Sequence, residues 1–168
     1  MCYLFKTDII KDRTDNIISS CGEATVINHI VEYPRWIDLS LYTKIDEFTI
    51  ASIDTRINDN YIIINEFQSR YSRNGNGTKL FEILIDYIYQ INTIYPIKRI
   101  DGYLTKFNFD RWKGLIYFYS HLSDYINSHY NNVSLEFKLR DYELSDFKDN
   151  LSHYEGNDIH FNYHITYP

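Results

Sequence analysis

Asn65-Glu66-Phe67-Gln68-Ser69-Arg70-Tyr71-Ser72-Arg73-Asn74-Gly75-Asn76-Gly77-Thr78-Lys79-Leu80 joins two opposed periodicities. Before it, Tyr61-Ile62-Ile63-Ile64 is an apolar run without alternation, as expected for a central strand covered on both faces. After it, Leu80, Leu84, Tyr87, Ile88 and Ile91 recur at helical spacing, and Phe81 and Ile85 widen the apolar stripe. The loop between them carries Gly75 and Gly77, whose missing Cβ atoms let the main chain approach a ligand and adopt backbone angles closed to other residues. The first turn of the following helix leaves its N–H groups without intrahelical partners, at the positive end of the macrodipole. This order suits an anion, most naturally phosphate or pyrophosphate, although a ligand-free strand-to-helix turn has the same local sequence.

Upstream, residues 25–31 and 36–42 are β-branched or aromatic runs separated by Pro34, and residues 48–57 alternate. Asn58-Asp59-Asn60 supplies turn residues, so residues 48–57 and 61–67 read as an antiparallel hairpin. Nearer the N-terminus only residues 8–20 have room for a helix. Downstream of Pro96, residues 99–105 read as a strand with Gly102 inside it, and Trp112, Leu115, Ile116, Tyr119 and Leu122 mark a second helix. Two further strands have clean period-two patterns: Val133, Leu135, Phe137 and Leu139 in one, and Ile159, Phe161, Tyr163 and Ile165 in the other. The expected fold is α/β, a mixed, mostly antiparallel sheet of about six or seven strands flanked by helices.

A chain of 168 residues fits one domain spanning 1–168, long enough to bury a core without disulfides or metal. Its 44% hydrophobic and 17% aromatic content exceeds what a disordered chain carries. With a formal charge of −6 and no dense Lys/Arg stripe, nothing provides an electrostatic grip on nucleic acid, and the field favours a cationic or amine-bearing small molecule. Cys2 and Cys21, without metal-type spacing, fit a reducing compartment. Lys6, Asp8, Lys11 and Asp12 interrupt any N-terminal apolar segment, and no run approaches membrane-spanning length, so a soluble cytoplasmic protein without a membrane partner is expected. His160 and His164 share a strand face but lack a third ligand at suitable spacing, so no metal is expected. The tyrosine-rich terminal strand, residues 160–167, offers an edge for pairing across a homodimer.

Three phosphate-binding patterns compete for the glycine loop. A Walker A loop needs Gly-Lys-Ser/Thr, and Gly77-Thr78-Lys79 has the order wrong. The dinucleotide fingerprint needs a third glycine where Leu80 stands and a βαβ unit, whereas the preceding strands read as antiparallel hairpins. The third pattern is a resemblance: residues 71–80, with the strand before and the helix after, resemble the acetyl-CoA loop of the GNAT superfamily of N-acetyltransferases, whose motif is Gln/Arg-x-x-Gly-x-Gly/Ala. Gly75-Asn76-Gly77-Thr78-Lys79-Leu80 matches the second half of that motif, and the family's element order is reproduced over about residues 48–167. Phe118-Tyr119-Ser120-His121-Leu122 stands where the family commonly has Phe-Tyr-x-x-Leu-Gly-Phe. The departures are Ser72 at the Gln/Arg position with Arg73 one place late, the absence of Gly-Phe after Leu122, and Trp112 where an Asn is frequent. There is also little room for the family's pair of N-terminal helices.

The resemblance implies acetyl transfer from acetyl-CoA, as co-substrate and without metal, to a primary amine of a small molecule or peptide, by direct attack in a ternary complex. It implies that backbone N–H groups of Arg73, Asn74, Gly75, Asn76, Gly77 and Thr78 cradle the pyrophosphate, with Ser69 and the hydroxyls of Ser72 and Thr78 adding contacts. A splayed strand 61–67 would admit pantetheine, and the N–H near Phe67 would polarise the thioester carbonyl. Tyr119 is the acid by position, although its place on an apolar stripe also suits a core tyrosine. Glu66, the carboxylate of the central strand, is the base candidate, with Asp54 on the neighbouring strand as an alternative. A second function class is a GNAT-shaped binding or regulatory protein without catalysis.

Overall fold

The computed structural model describes residues 7–19, 22–70, 75–92 and 96–168. The chain falls into two compact units, residues 1–97 and 98–168.

In the first unit, β1 (Thr14–Ser19), β2 (Gly22–Glu32), β3 (Ile37–Ile45), β4 (Phe48–Ile57) and β5 (Tyr61–Ser69) lie side by side in chain order, each antiparallel to the next. Helix α1 (Asn76–Asn92) packs against β3, β4 and β5. Strand alternation supplies the face it needs: Ile37, Leu39 and Leu41 on β3 and Ile53, Thr55 and Ile57 on β4 are buried, while Asp38, Ser40, Asp54 and Arg56 are only half-buried. The helix is rich in Ile and Tyr, whose intrinsic helix propensity is poor by a few tenths of a kcal/mol each. Burial of Leu80, Phe81, Leu84, Ile85, Ile88 and Ile91 contributes roughly 1.5–3 kcal/mol per side chain, so tertiary packing decides the conformation.

The structure corrects two expectations here. Residues 14–19 form β1 rather than part of a helix, pairing from Thr14 opposite Ile27 to Ser19 opposite Gly22. The Asp-Asn and Ile-Ile pairs of this segment give neither period a clear advantage, and the pairing with β2 settles it. Residues 61–64 are not covered on both faces, because Ile62 and Ile64 are buried but Tyr61 and Ile63 are half-buried.

A β-bulge interrupts the β4–β5 ladder. Thr55 faces Ile64 and Asp54 faces Glu66, which leaves Asn65 as the extra residue. The inserted residue shifts the phase of everything after it. Without it, Glu66 would follow Ile62 and Ile64 toward α1; with it, Phe67 does so and stacks on Phe81 of α1 at 6.3 Å between ring centroids.

In the second unit, β6 (Arg99–Leu104), β8 (Ile159–Thr166) and β7 (Ser134–Leu139) form an antiparallel set in the order β6-β8-β7. Helix α2 (Trp112–His129) packs on β7. The Tyr163 hydroxyl donates to the Tyr119 carbonyl at 2.6 Å, fixing the helix over β8. A Cβ on Gly102 would lie 2.4 Å from Cζ of Phe161, so the ring packs directly on the β6 backbone. Because β8 lies between two partners, the expected homodimer pairing through residues 160–167 has no open edge there.

Sequence reading did not find helix α3 (Leu144–Asp149) or the 3-10 turns at Lys106–Arg111 and Leu151–Tyr154. They gather Phe147, Tyr142 and Tyr154 into an aromatic cluster with Trp112, whose Nε1 donates to the Thr105 carbonyl at 3.0 Å. The described residues thus hold eight strands, one more than the upper expectation, and the additional one is β1.

Candidate functional site

Gly75 adopts φ 75°, the left-handed region that favours glycine, and its carbonyl accepts the Lys79 N–H at 3.0 Å to close the first turn of α1. Among the described residues nothing lies within 4 Å of a Cβ built on Gly75, so backbone conformation rather than space selects glycine there. No acidic side chain occupies the first turn. The N–H groups of residues 76–78 precede the first intrahelical bond and lie at the positive end of the helix macrodipole. Gly77 is buried and Thr78 half-buried, while the Lys79 ammonium donates to the Ile18 carbonyl on β1. Ser72, Arg73 and Asn74 lie outside the described residues, as do Cys2 and Cys21.

Asn76, which the sequence offers for its backbone N–H, has an unusual side-chain environment. Its side chain is buried, 1% exposed, and neither carboxamide atom has a hydrogen-bond partner among the described residues. The sequence signal was a polar side chain at the first position of a helix that buries its glycine neighbour.

Phe67 and Ser69 sit at the end of β5, opposite Ile53 and Ala51. Glu66, one place before Phe67, is exposed on the sheet face away from α1, where its carboxylate accepts from the Gln68 amide. Asp54, the alternative base, is directly opposite Glu66, so the bulge brings the two candidate carboxylates together across the ladder. Like charges in that arrangement repel unless solvent or a cation intervenes.

Tyr119 belongs to the second unit. It is 8% exposed, with its ring 4.5 Å from that of Phe161. Burial pushes its hydroxyl up to about 12, slightly opposed by the positive charge of Arg111, so it stays protonated through the neutral range. Neighbouring Tyr163, fully buried, is raised in the same direction, first by burial and then by the Tyr119 charge.

His160 and His164 are exposed on β8, His164 opposite Arg99 and Glu136, and His160 beside Tyr103. Among the described residues no group of three or more His, Cys, Asp or Glu side chains is placed to hold a metal ion. Among the same residues no helix is long and apolar enough to cross a membrane.

No protein-family model matches the chain, and no curated protein matches it by sequence. Solved structures match it by fold. A Bacillus anthracis protein described as a streptothricin acetyltransferase, in complex with acetyl coenzyme A, aligns with a TM-score of 0.50 at 13% identity, over 93% of this chain and 83% of its own. An acetyltransferase from Streptococcus agalactiae aligns at 0.47 and 18% identity, over 74% of this chain and 65% of its own. A GNAT-family acetyltransferase from Streptococcus pneumoniae aligns at 0.45 and 12% identity, over 76% of this chain and 66% of its own. The chain therefore spans just under two thirds of the length of these two streptococcal proteins.

Proposed function

Since the chain has the GNAT fold, we propose that it transfers an acetyl group from acetyl-CoA to a primary amine by direct attack in a ternary complex. The observation that carries this reading is the start of α1: a glycine N-cap at φ 75° followed by first-turn N–H groups with no acidic side chain among them. In this reading residues 72–78, with Ser69, hold the cofactor, and the Phe67 N–H polarises the thioester carbonyl. Glu66 removes the ammonium proton, the amine nitrogen bonds to the carbonyl carbon, and the C–S bond breaks to release the CoA thiolate. Tyr119 donates a hydrogen bond to that thiolate, which takes its proton from the acylated amine nitrogen as the amide forms. With its hydroxyl at about 12, against about 8.5 for an ordinary thiol, full proton transfer from Tyr119 would run uphill, so its role is that of a hydrogen-bond donor. The acceptor is a small-molecule or peptide amine, met in the reducing cytoplasm.

The burial of Tyr119 favours a second reading, a GNAT-shaped binding or regulatory protein without catalysis. Acetyl-CoA binding separates the GNAT cofactor reading from an empty scaffold, because a ligand that binds the native state raises the melting temperature by mass action. The enzyme shows a rise with millimolar acetyl-CoA and then thiol release with one class among polyamines, aminoglycosides, amino acids and peptides. A rise without thiol release supports the non-catalytic binder, and no rise counts heavily against the enzyme. In the enzyme, Glu66→Gln lowers turnover with cofactor binding intact; unchanged turnover removes Glu66 from the mechanism.

A further inference from the structure

After the bulge at Asn65, Glu66 and Gln68 share the face of β5 turned away from α1, on either side of Phe67, which faces the helix. Residues two apart on one strand have Cα atoms about 6.5–7 Å from each other, a gap that two long side chains can close. The Gln68 Nε2 closes it by donating to Oε1 of Glu66. Directly across the ladder from Glu66 stands Asp54, a second carboxylate, while Gln68 faces Ser52. The bond from Gln68 therefore draws the Glu66 carboxylate along its own strand rather than toward Asp54.

The kind of partner matters for what a carboxylate can do. Among the described residues neither Glu66 nor Asp54 forms an ion pair, whereas Asp38, farther along the same face, is held by Arg56 at 3.0 Å. A cation beside a carboxylate stabilises its charged form and weakens it as a base. A neutral amide fixes one oxygen without adding a charge, and it leaves Oε2 open to a proton. An exposed glutamate without such a partner would spread over its rotamers and spend little time aimed at one target.

We infer that Gln68 is a positioning residue: its amide holds the Glu66 carboxylate in the orientation from which Oε2 removes the proton of an ammonium substrate. The inference rests on the acetyltransferase reading with Glu66 as base. Gln68 touches no reacting atom and acts through Glu66 alone. Because both side chains are exposed, the bond adds little to stability, since water replaces either partner when it breaks. Its effect is on placement.

The test is Gln68→Met, which keeps the length of the side chain and removes the donor. Thiol release from acetyl-CoA is followed with spermidine, kanamycin, lysine and trilysine as amines, in the wild type, Gln68→Met, Glu66→Gln and the double variant. With the amine that the wild type turns over, Gln68→Met is expected to lower kcat about tenfold, a part of the roughly 10²–10⁴-fold that a placed base contributes. KM for acetyl-CoA and the melting temperature stay at wild-type values, and Gln68→Met has no further effect in the Glu66→Gln background. Wild-type kcat in Gln68→Met beside a loss in Glu66→Gln overturns the inference and leaves Glu66 as the base. Equal losses from Gln68→Met in both backgrounds also overturn it, because Gln68 would then act without Glu66. Unchanged turnover in Glu66→Gln, or no release with any of the four amines, removes the base and the inference with it. The side-chain amide signals give a readout that needs no amine. The chain has two glutamines, Gln68 and Gln90, so the NH2 pair lost in Gln68→Met is that of Gln68. In the wild type this pair moves as Glu66 is protonated in acid, and in Glu66→Ala that movement is lost. A pair that titrates identically in both overturns the inference.

Discussion

At Tyr119 burial sets the protonation state, and this makes stability depend on pH in the alkaline range. The folded-state value of about 12 lies above the ordinary phenol value of 10, so the unfolded chain loses its proton first as pH rises. The stabilisation is complete below pH 10 and is lost between 10 and 12, at up to about 1.4 kcal/mol per pH unit. Tyr163 acts in the same direction, so Tyr119→Phe flattens the fall only in part. Urea titrations across this window measure the slope, and an identical slope in the variant would show that Tyr119 is accessible to water. Gly102 is constrained by contact instead, with a Cβ placed 2.4 Å from the Phe161 ring. Gly102→Ala is expected to destabilise by about 1–3 kcal/mol through overpacking. Phe161→Leu should recover part of that loss in a double-mutant cycle, whereas additive effects would mean the two sites do not touch.

At the scale of elements, one side chain ties α2 to β7. The Asn127 Nδ2 donates to the Leu135 carbonyl and its Oδ1 accepts the Leu135 N–H, both at 2.8 Å. The carboxamide thus acts as a short extra strand on β7, whose other neighbour is β8. Asn127→Ala is expected to cost about 1–3 kcal/mol and to speed hydrogen exchange at the Leu135 amide more than at Phe161. Equal acceleration at both would point to global destabilisation instead. Elements with one strong period were legible in the sequence: β7 and β8 through alternation, and α1 through its Leu and Ile stripe. Residues 14–19 carry no dominant period, and α3 is a short helix anchored by Phe147 on Trp112 of α2, so neither was legible locally. The bulge at Asn65 leaves only a phase jump, from Ile62 and Ile64 to Phe67, which reads as irregularity until the β4 register is known. For the site, the glycines were legible because their chemistry is local. The unpartnered state of Asn76 was not, because it depends on what packs around it.

Across the whole molecule, the formal charge of −6 opposes a polyanionic cofactor while attracting a cationic amine. In the proposed acetyltransferase, cofactor affinity must therefore come from short-range donors, and the α1 start supplies main-chain N–H groups without an acidic neighbour in its first turn. The two substrates should then respond to salt in opposite directions. The long-range field is screened beyond about 8 Å at physiological ionic strength, whereas hydrogen bonds at the helix start are screened far less. As ionic strength rises, KM for a cationic amine is expected to increase and KM for acetyl-CoA to fall or stay level, with a neutral amine as control. Steady-state kinetics at matched pH make the comparison. A steep rise in the acetyl-CoA KM would instead assign the grip to exposed Lys and Arg side chains, because counterion competition of that kind follows side-chain cations contacting phosphate.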